Sequence, residues 1–106
     1  MKATFLHRDN TLCGFALEGH CGTRRDAGRD IVCAAVSSAA YLTANTITEV
    51  IGANPTLSVD QDGKMRLVLS AAEAERCRET LEGFLLHIRS LSEDYPKQIQ
   101  LIHSEV

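Results

Sequence analysis

Apolar and polar positions alternate from the start of the chain. Ala3, Phe5 and His7 fall on one face of residues 2–8, and after Asp9-Asn10 a second run puts Cys13, Phe15 and Leu17 on one face again. Two alternating runs joined by a two-residue polar step predict an antiparallel hairpin. Residues 19–29 then break the pattern, with three glycines, three arginines and no periodic apolar positions. They read as a loop, and loops of this length in small domains often carry function.

Asp30 stands directly before an apolar, alanine-rich stretch that runs to Ile51 and stops at Gly52. An acidic residue at the start and a glycine at the end predict a helix, with Asp30 as N-cap. Small residues (Ala34, Ala35, Ser37, Ser38, Ala39, Ala40) surround it, so it should lie close against a sheet or a second helix. Leu57 and Val59, then Met65, Leu67 and Leu69, alternate on either side of Gln61-Asp62-Gly63, which predicts a second hairpin. Ser70 with Glu73 has the form of a capping box, and Ala74, Cys77, Leu81, Phe84, Leu85, Ile88 and Leu91 follow at helical spacing. After Pro96, alternation at Ile99, Leu101 and His103 gives a last strand. The order is ββαββαβ, which fits a single α/β domain over residues 1–106: a mixed sheet with two helices on its faces, packed as a sandwich.

A chain of 106 residues with 44% apolar content can build one modest core. A net charge of −3 offers no basic excess to draw it to nucleic acid. The first residues show no leader pattern, and no stretch reads as membrane-spanning, so the expectation is a cytoplasmic protein without a membrane partner. There Cys13, Cys21, Cys33 and Cys77 would stay reduced, leaving at least one thiol available for chemistry.

Cys33 falls in the expected first turn of the long helix, where free backbone N–H groups and the positive end of the dipole favour a thiolate. It is equally well read as a small core residue between Val32 and Ala34. His20, among glycines, can fold back over the helix start as a base, or can be a solvated loop histidine. Asp30 can cap the helix or orient His20, and a capping carboxylate so close would oppose ionisation of Cys33. Cys13, His20, Cys21 and Cys33 are enough ligands for zinc, but no CxxC pair is present and Cys13 should face the core; no metal is expected. Cys77 belongs to the apolar stripe of the second helix.

Gly19-His20, followed after the loop by Gly28-Arg29-Asp30-Ile31-Val32-Cys33-Ala34-Ala35-Val36-Ser37, resembles the signature of the Prp family of ribosomal-processing cysteine proteases. That resemblance implies a homodimeric cysteine endopeptidase that removes the N-terminal extension of a large-subunit ribosomal protein, the twenty-seventh in the usual naming, during ribosome assembly. It gives Cys33 the role of nucleophile and His20 that of general base, with Asp30 as a supporting residue and no cofactor. Gly19, Gly22 and Gly28 of the loop, with Ala34 and Ser37 on the helix, would contact the peptide. Backbone N–H groups around Cys33 and Ala34 would serve as oxyanion donors. Cys21 where the family commonly has alanine, and Thr23-Arg24-Arg25-Asp26 in a slightly longer loop, depart from the pattern and bear on substrate preference. Cys21 could also form a regulatory disulfide with Cys33. Two readings from other classes are a non-catalytic binding module or assembly chaperone for the same ribosomal protein, and a thiol redox protein.

Overall fold

Lys2–Arg8 (β1) and Thr11–Glu18 (β2) form the expected hairpin in a computed structural model that describes the backbone of residues 1–19 and 27–106 and the side chains of residues 1–19 and 31–106. Asp9 and Asn10 both take left-handed backbone angles, φ 53° and 67°. A two-residue hairpin turn of this hand needs that at both central positions, and Asp and Asn tolerate it better than other side chains. Thr56–Val59 (β3) and Met65–Val68 (β4) make the second hairpin. Its turn is tied by the Asp60 carboxylate, which accepts from the N–H groups of Asp62 and Lys64, both at 2.9 Å. Gln100–Glu105 (β5) lies parallel to β1, so the sheet order β3-β4-β2-β1-β5 is mixed, as expected. β4 approaches β2 closely enough that a Cβ on Gly14 would collide with the Leu67 carbonyl, and only glycine fits there.

One face of the sheet carries Ala3, Phe5, Phe15, Leu17, Met65 and Leu67, all buried. Both helical regions cover this same face, giving two layers rather than helices on both sides. The first helix, α1, spans Ala27–Asn45 and presents Val32, Val36, Ala40 and Ala44 to the sheet. It starts upstream of the expected point. Asp30 is therefore inside the helix and is not its N-cap; residues 27–29, assigned to the loop above, are helical. The run from Ile31 to Ile51 is also long and apolar enough to cross a bilayer, contrary to the sequence reading, but here its buried side packs on the sheet.

α1 passes into a π-helical turn, Thr46–Ile51, before stopping at Gly52, whose left-handed φ of 79° and N–H bond to Ile47 end it as predicted. The hydroxyls of Thr43, Thr46 and Thr48 each donate to the carbonyl four residues back, at 2.8, 2.8 and 3.1 Å. Such bonds loosen the ladder they share, which accounts for the wider turn.

The second predicted helix is two, Ala71–Arg76 (α2) and Arg78–Asp94 (α3), separated at Cys77, where φ −103° and ψ 10° leave the helical region. Ser70 caps α2 by accepting from the Glu73 N–H at 3.4 Å. The Glu73 carboxylate does not return to Ser70; it accepts from the Asn54 N–H at 3.1 Å through both oxygens, tying α2 to the strand entry. Ala74, Cys77, Leu81, Phe84 and Ile88 are buried across the break, so the apolar stripe keeps its register. Phe84 sits between Phe5 and Phe15, with ring centroids 5.6 and 4.6 Å apart in tilted contact, and burial of a ring of this kind contributes about 1.5–3 kcal/mol.

Candidate active site

Cys33 lies in the second turn of α1 and is half-buried. Because the helix begins at Ala27, the N–H groups of Cys33 and Ala34 fall inside its hydrogen-bonded ladder. They are not free to serve as oxyanion donors, and the dipole, which acts mainly in the first turn, does little for Cys33. Ionisation of that thiol then depends on a neighbouring imidazole. Cys33 is disulfide-bonded in this structure, whereas Cys13 and Cys77 are free and buried. Burial pushes both of those thiols up from their ordinary value, which removes them as nucleophiles.

Ser37 and Tyr41 follow Cys33 at four-residue steps and share its flank of α1. Ser37 and Tyr41 reach a cavity of about 140 Å³, whose floor is Leu17, Ala40 and Met65 and whose rim includes Glu18 and Gly19. The residue immediately before His20 and a residue one turn beyond Cys33 thus line the same space. Glu18 is held by two lysines, Lys2 at 2.7 Å and Lys64 at 3.1 Å, and these bonds keep its carboxyl below the usual range. A larger cavity of about 500 Å³ lies on the other flank of α1, against α3, and includes Ala35, Ser38, Leu42, Gly83 and His87.

His20, Cys21 and Gly22 lie outside the described residues, as does the side chain of Asp30, and of Gly28 only the helical backbone is described. The expected dyad, the role of Asp30 and a Cys21–Cys33 bond therefore fall beyond them. Gly19 and Ser37 come together as described, and Ala34 is exposed on α1. Among the described residues, no three His, Cys, Asp or Glu side chains are grouped to hold a metal ion. Sequence reasoning missed Tyr41, Glu18 and Met65. The spacing of Cys33, Ser37 and Tyr41 could have found the first; nothing local could have found the other two.

The family model "Cysteine protease Prp" matches residues 1–100. The ribosomal processing cysteine protease Prp of Bacillus subtilis is 21% identical over 98 residues, covering 88% of this chain and 87% of its own length. Among solved structures, SMU.848 from Streptococcus mutans superposes with a TM-score of 0.86 at 31% identity, covering 99% of this chain and 94% of that one. The ribosomal processing protease Prp from S. aureus, in complex with a substrate peptide, gives 0.86 at 20% identity, covering 97% and 98%.

Proposed function

We propose that this chain, which belongs to the cysteine protease Prp family, removes the N-terminal extension of the twenty-seventh large-subunit ribosomal protein, with Cys33 as nucleophile and His20 as general base. The observation that carries this reading is the shared cavity of Gly19 and Ser37, which brings the flanks of the two motif halves to one corner of the fold. The B. subtilis relative, a ribosomal processing protease, supports the substrate class.

The reduced Cys33 sulfur attacks the scissile carbonyl carbon and the carbonyl π pair moves to oxygen. Collapse of that adduct breaks the C–N bond, and His20, having taken the thiol proton, gives it to the leaving amine. Water deprotonated by His20 then hydrolyses the thioester and restores the thiol. Asp30, one turn before Cys33 in α1, orients the imidazole of His20 and supports its charged form. Oxyanion donors come from the chain around the cavity rather than from the N–H groups of Cys33 and Ala34. Ala34, exposed on α1, flanks the peptide, whereas Gly28 lies in the helix and does not supply the loop freedom expected of it.

The protein works in the cytoplasm, where substrate and reducing conditions meet, and it works as a homodimer. Exposed apolar side chains of the first helical region support the dimer: Ile31 and Leu42 of α1 and Val50 of the π-helical turn are 63%, 69% and 80% exposed, a costly arrangement for an isolated chain. The test is to incubate the reduced protein with the same organism's extended ribosomal protein and weigh the products. A single cut near the N-terminus, absent with Cys33→Ala, is expected; cutting by Cys33→Ala, or intact substrate with the parent protein, contradicts the reading.

A further inference from the structure

We infer that His7 and His103 form a surface site for a divalent transition-metal ion of the nickel(II) or copper(II) class, and that the bound ion clips β5 onto β1. The site is separate from the cleavage chemistry. It lies at the turn end of the β1–β2 hairpin, whereas Gly19 follows the open end, where Lys2 pairs with Glu18.

The sheet register brings the two rings together. β1 and β5 run parallel, with Phe5 opposite His103 and His7 opposite Glu105. Positions two apart on a strand share a face, so both imidazoles stand on the side of Phe5, whose ring touches that of His103. Nε2 of His7 and Nδ1 of His103 face each other at 2.9 Å, with ring centroids 5.1 Å apart. A neutral imidazole has one N–H and one lone pair, so with protons alone one of these nitrogens donates to the other. Moving each ring's proton to its outer nitrogen turns both lone pairs inward. The cost is one hydrogen bond; the gain is two coordinate bonds to a shared ion.

The spacing also selects the ion. Two imidazole nitrogens at ~2.0–2.1 Å from one metal stand ~2.9 Å apart at a right angle and ~3.3 Å apart in a tetrahedron. The pair already has the first separation, so a small tilt of the rings suits the tetragonal shell of nickel(II) or copper(II), whereas zinc would have to spread them. Access is open. His103 is exposed and His7 partly so, and His7 lines a cavity of about 340 Å³ with Asn10, Leu12, Glu82 and Arg89. That space takes the waters that complete the shell. Glu82 offsets part of the ion's charge there, while Arg89 works against it and limits affinity. Among the described residues, no third His, Cys, Asp or Glu joins the pair, so the ion is taken from solution and exchanges with it.

The placement gives the ion an effect on the fold. β5 is an edge strand bonded to β1 alone, and the two histidines are 96 positions apart in the chain. An unfolded chain would have to close a loop of that length to hold the ion with both rings. An ion that binds the folded pair and not the unfolded chain raises stability by mass action.

The probe is nickel(II) alone, added to tag-free protein in a non-chelating buffer and followed by titration calorimetry and thermal unfolding. One equivalent is expected to bind, and millimolar nickel should raise Tm by a few degrees. His7→Ala and His103→Ala should each weaken binding by at least the ~10-fold that loss of a ligand's mere hydrogen-bond partner causes, and should remove the rise in Tm. His87→Ala, on α3, should change neither. If either alanine variant fails to fold by circular dichroism, His7→Gln and His103→Gln keep a polar side chain in place and carry the same expectation. Copper(II) on the oxidised protein, where Cys33 is disulfide-bonded, should show paramagnetic splitting from two ring nitrogens, and from one in each variant. No binding up to millimolar nickel, binding that survives loss of either histidine, or binding without a rise in Tm overturns the proposal.

Discussion

α1 and the α2–α3 pair cover the same face of the sheet, and each carries a cysteine, but they are built on different plans. α2–α3 has large apolar side chains at regular spacing, an N-terminal cap at Ser70, and Cys77 fully buried at the break. α1 has small side chains, no cap among the described side chains, exposed Ile31 and Leu42, and Cys33 half-buried one turn before Ser37, which lines a cavity. The first plan spends its surface on the core; the second leaves surface uncovered at one flank. A cysteine at a helix is thus not enough to identify a nucleophile: burial pushes the Cys77 thiol up, while Cys33 is only half-buried.

The sharpest way to break this contrast is to make the same change in both places. With both proteins reduced, Cys33→Ser should lower peptide cleavage by on the order of a thousandfold or more, while its urea midpoint stays near that of the parent. Cleavage retained there would end the distinction. Oxidation should act nearly as strongly: with Cys33 disulfide-bonded there is no thiolate, so the oxidised protein is expected to be inactive and to recover on adding a thiol reductant. Cys77→Ser should do the reverse of Cys33→Ser, keeping cleavage but losing about 1–3 kcal/mol in urea unfolding, because a hydroxyl would be buried where a thiol was.

Smaller changes sharpen the picture. Ser70→Ala should cost about 0.5 kcal/mol, at the low end for a cap because the bond to Glu73 is long, with no effect on cleavage. Beside the α1 cavity, Lys2 and Lys64 hold Glu18 below its usual value of 4.5, so the folded chain binds that proton less readily than the unfolded one. The stabilisation is complete above about pH 4.5 and fades as the pH falls through the folded value. Glu18→Gln should flatten that part of the stability curve by a small amount, since the bridge is at the surface.

Much of this was legible in the chain. Alternation around Asp9-Asn10 and Asp62-Gly63 located both hairpins, and Gly52 located the end of the first helical region. The start of α1 was hidden because Gly28 and Arg29 carry loop character, yet lie in the helix that the following residues drive. The break at Cys77 was hidden for the opposite reason: Ala74, Cys77, Leu81 and Phe84 stay in register across it, so periodicity has nothing to report. Glu73 fits a capping box, but its bond to Asn54, nineteen residues away, is a tertiary choice. The cavity was hidden because Leu17, Ser37 and Met65 meet only once the sheet and α1 are stacked. The chemistry was legible only through a motif; spacing alone left Cys33 and His20 with bland alternatives.

The placement of β5 affects how the molecule is made. β1 leaves the ribosome well before β5, the strand that covers its outer edge by pairing Lys2 with Gln100. Throughout synthesis that edge offers unmated backbone groups to any passing strand, including the same segment of a sister chain. Crowded expression should therefore favour aggregates seeded at β1, and slower translation or a chaperone that shields nascent strands should raise the soluble yield.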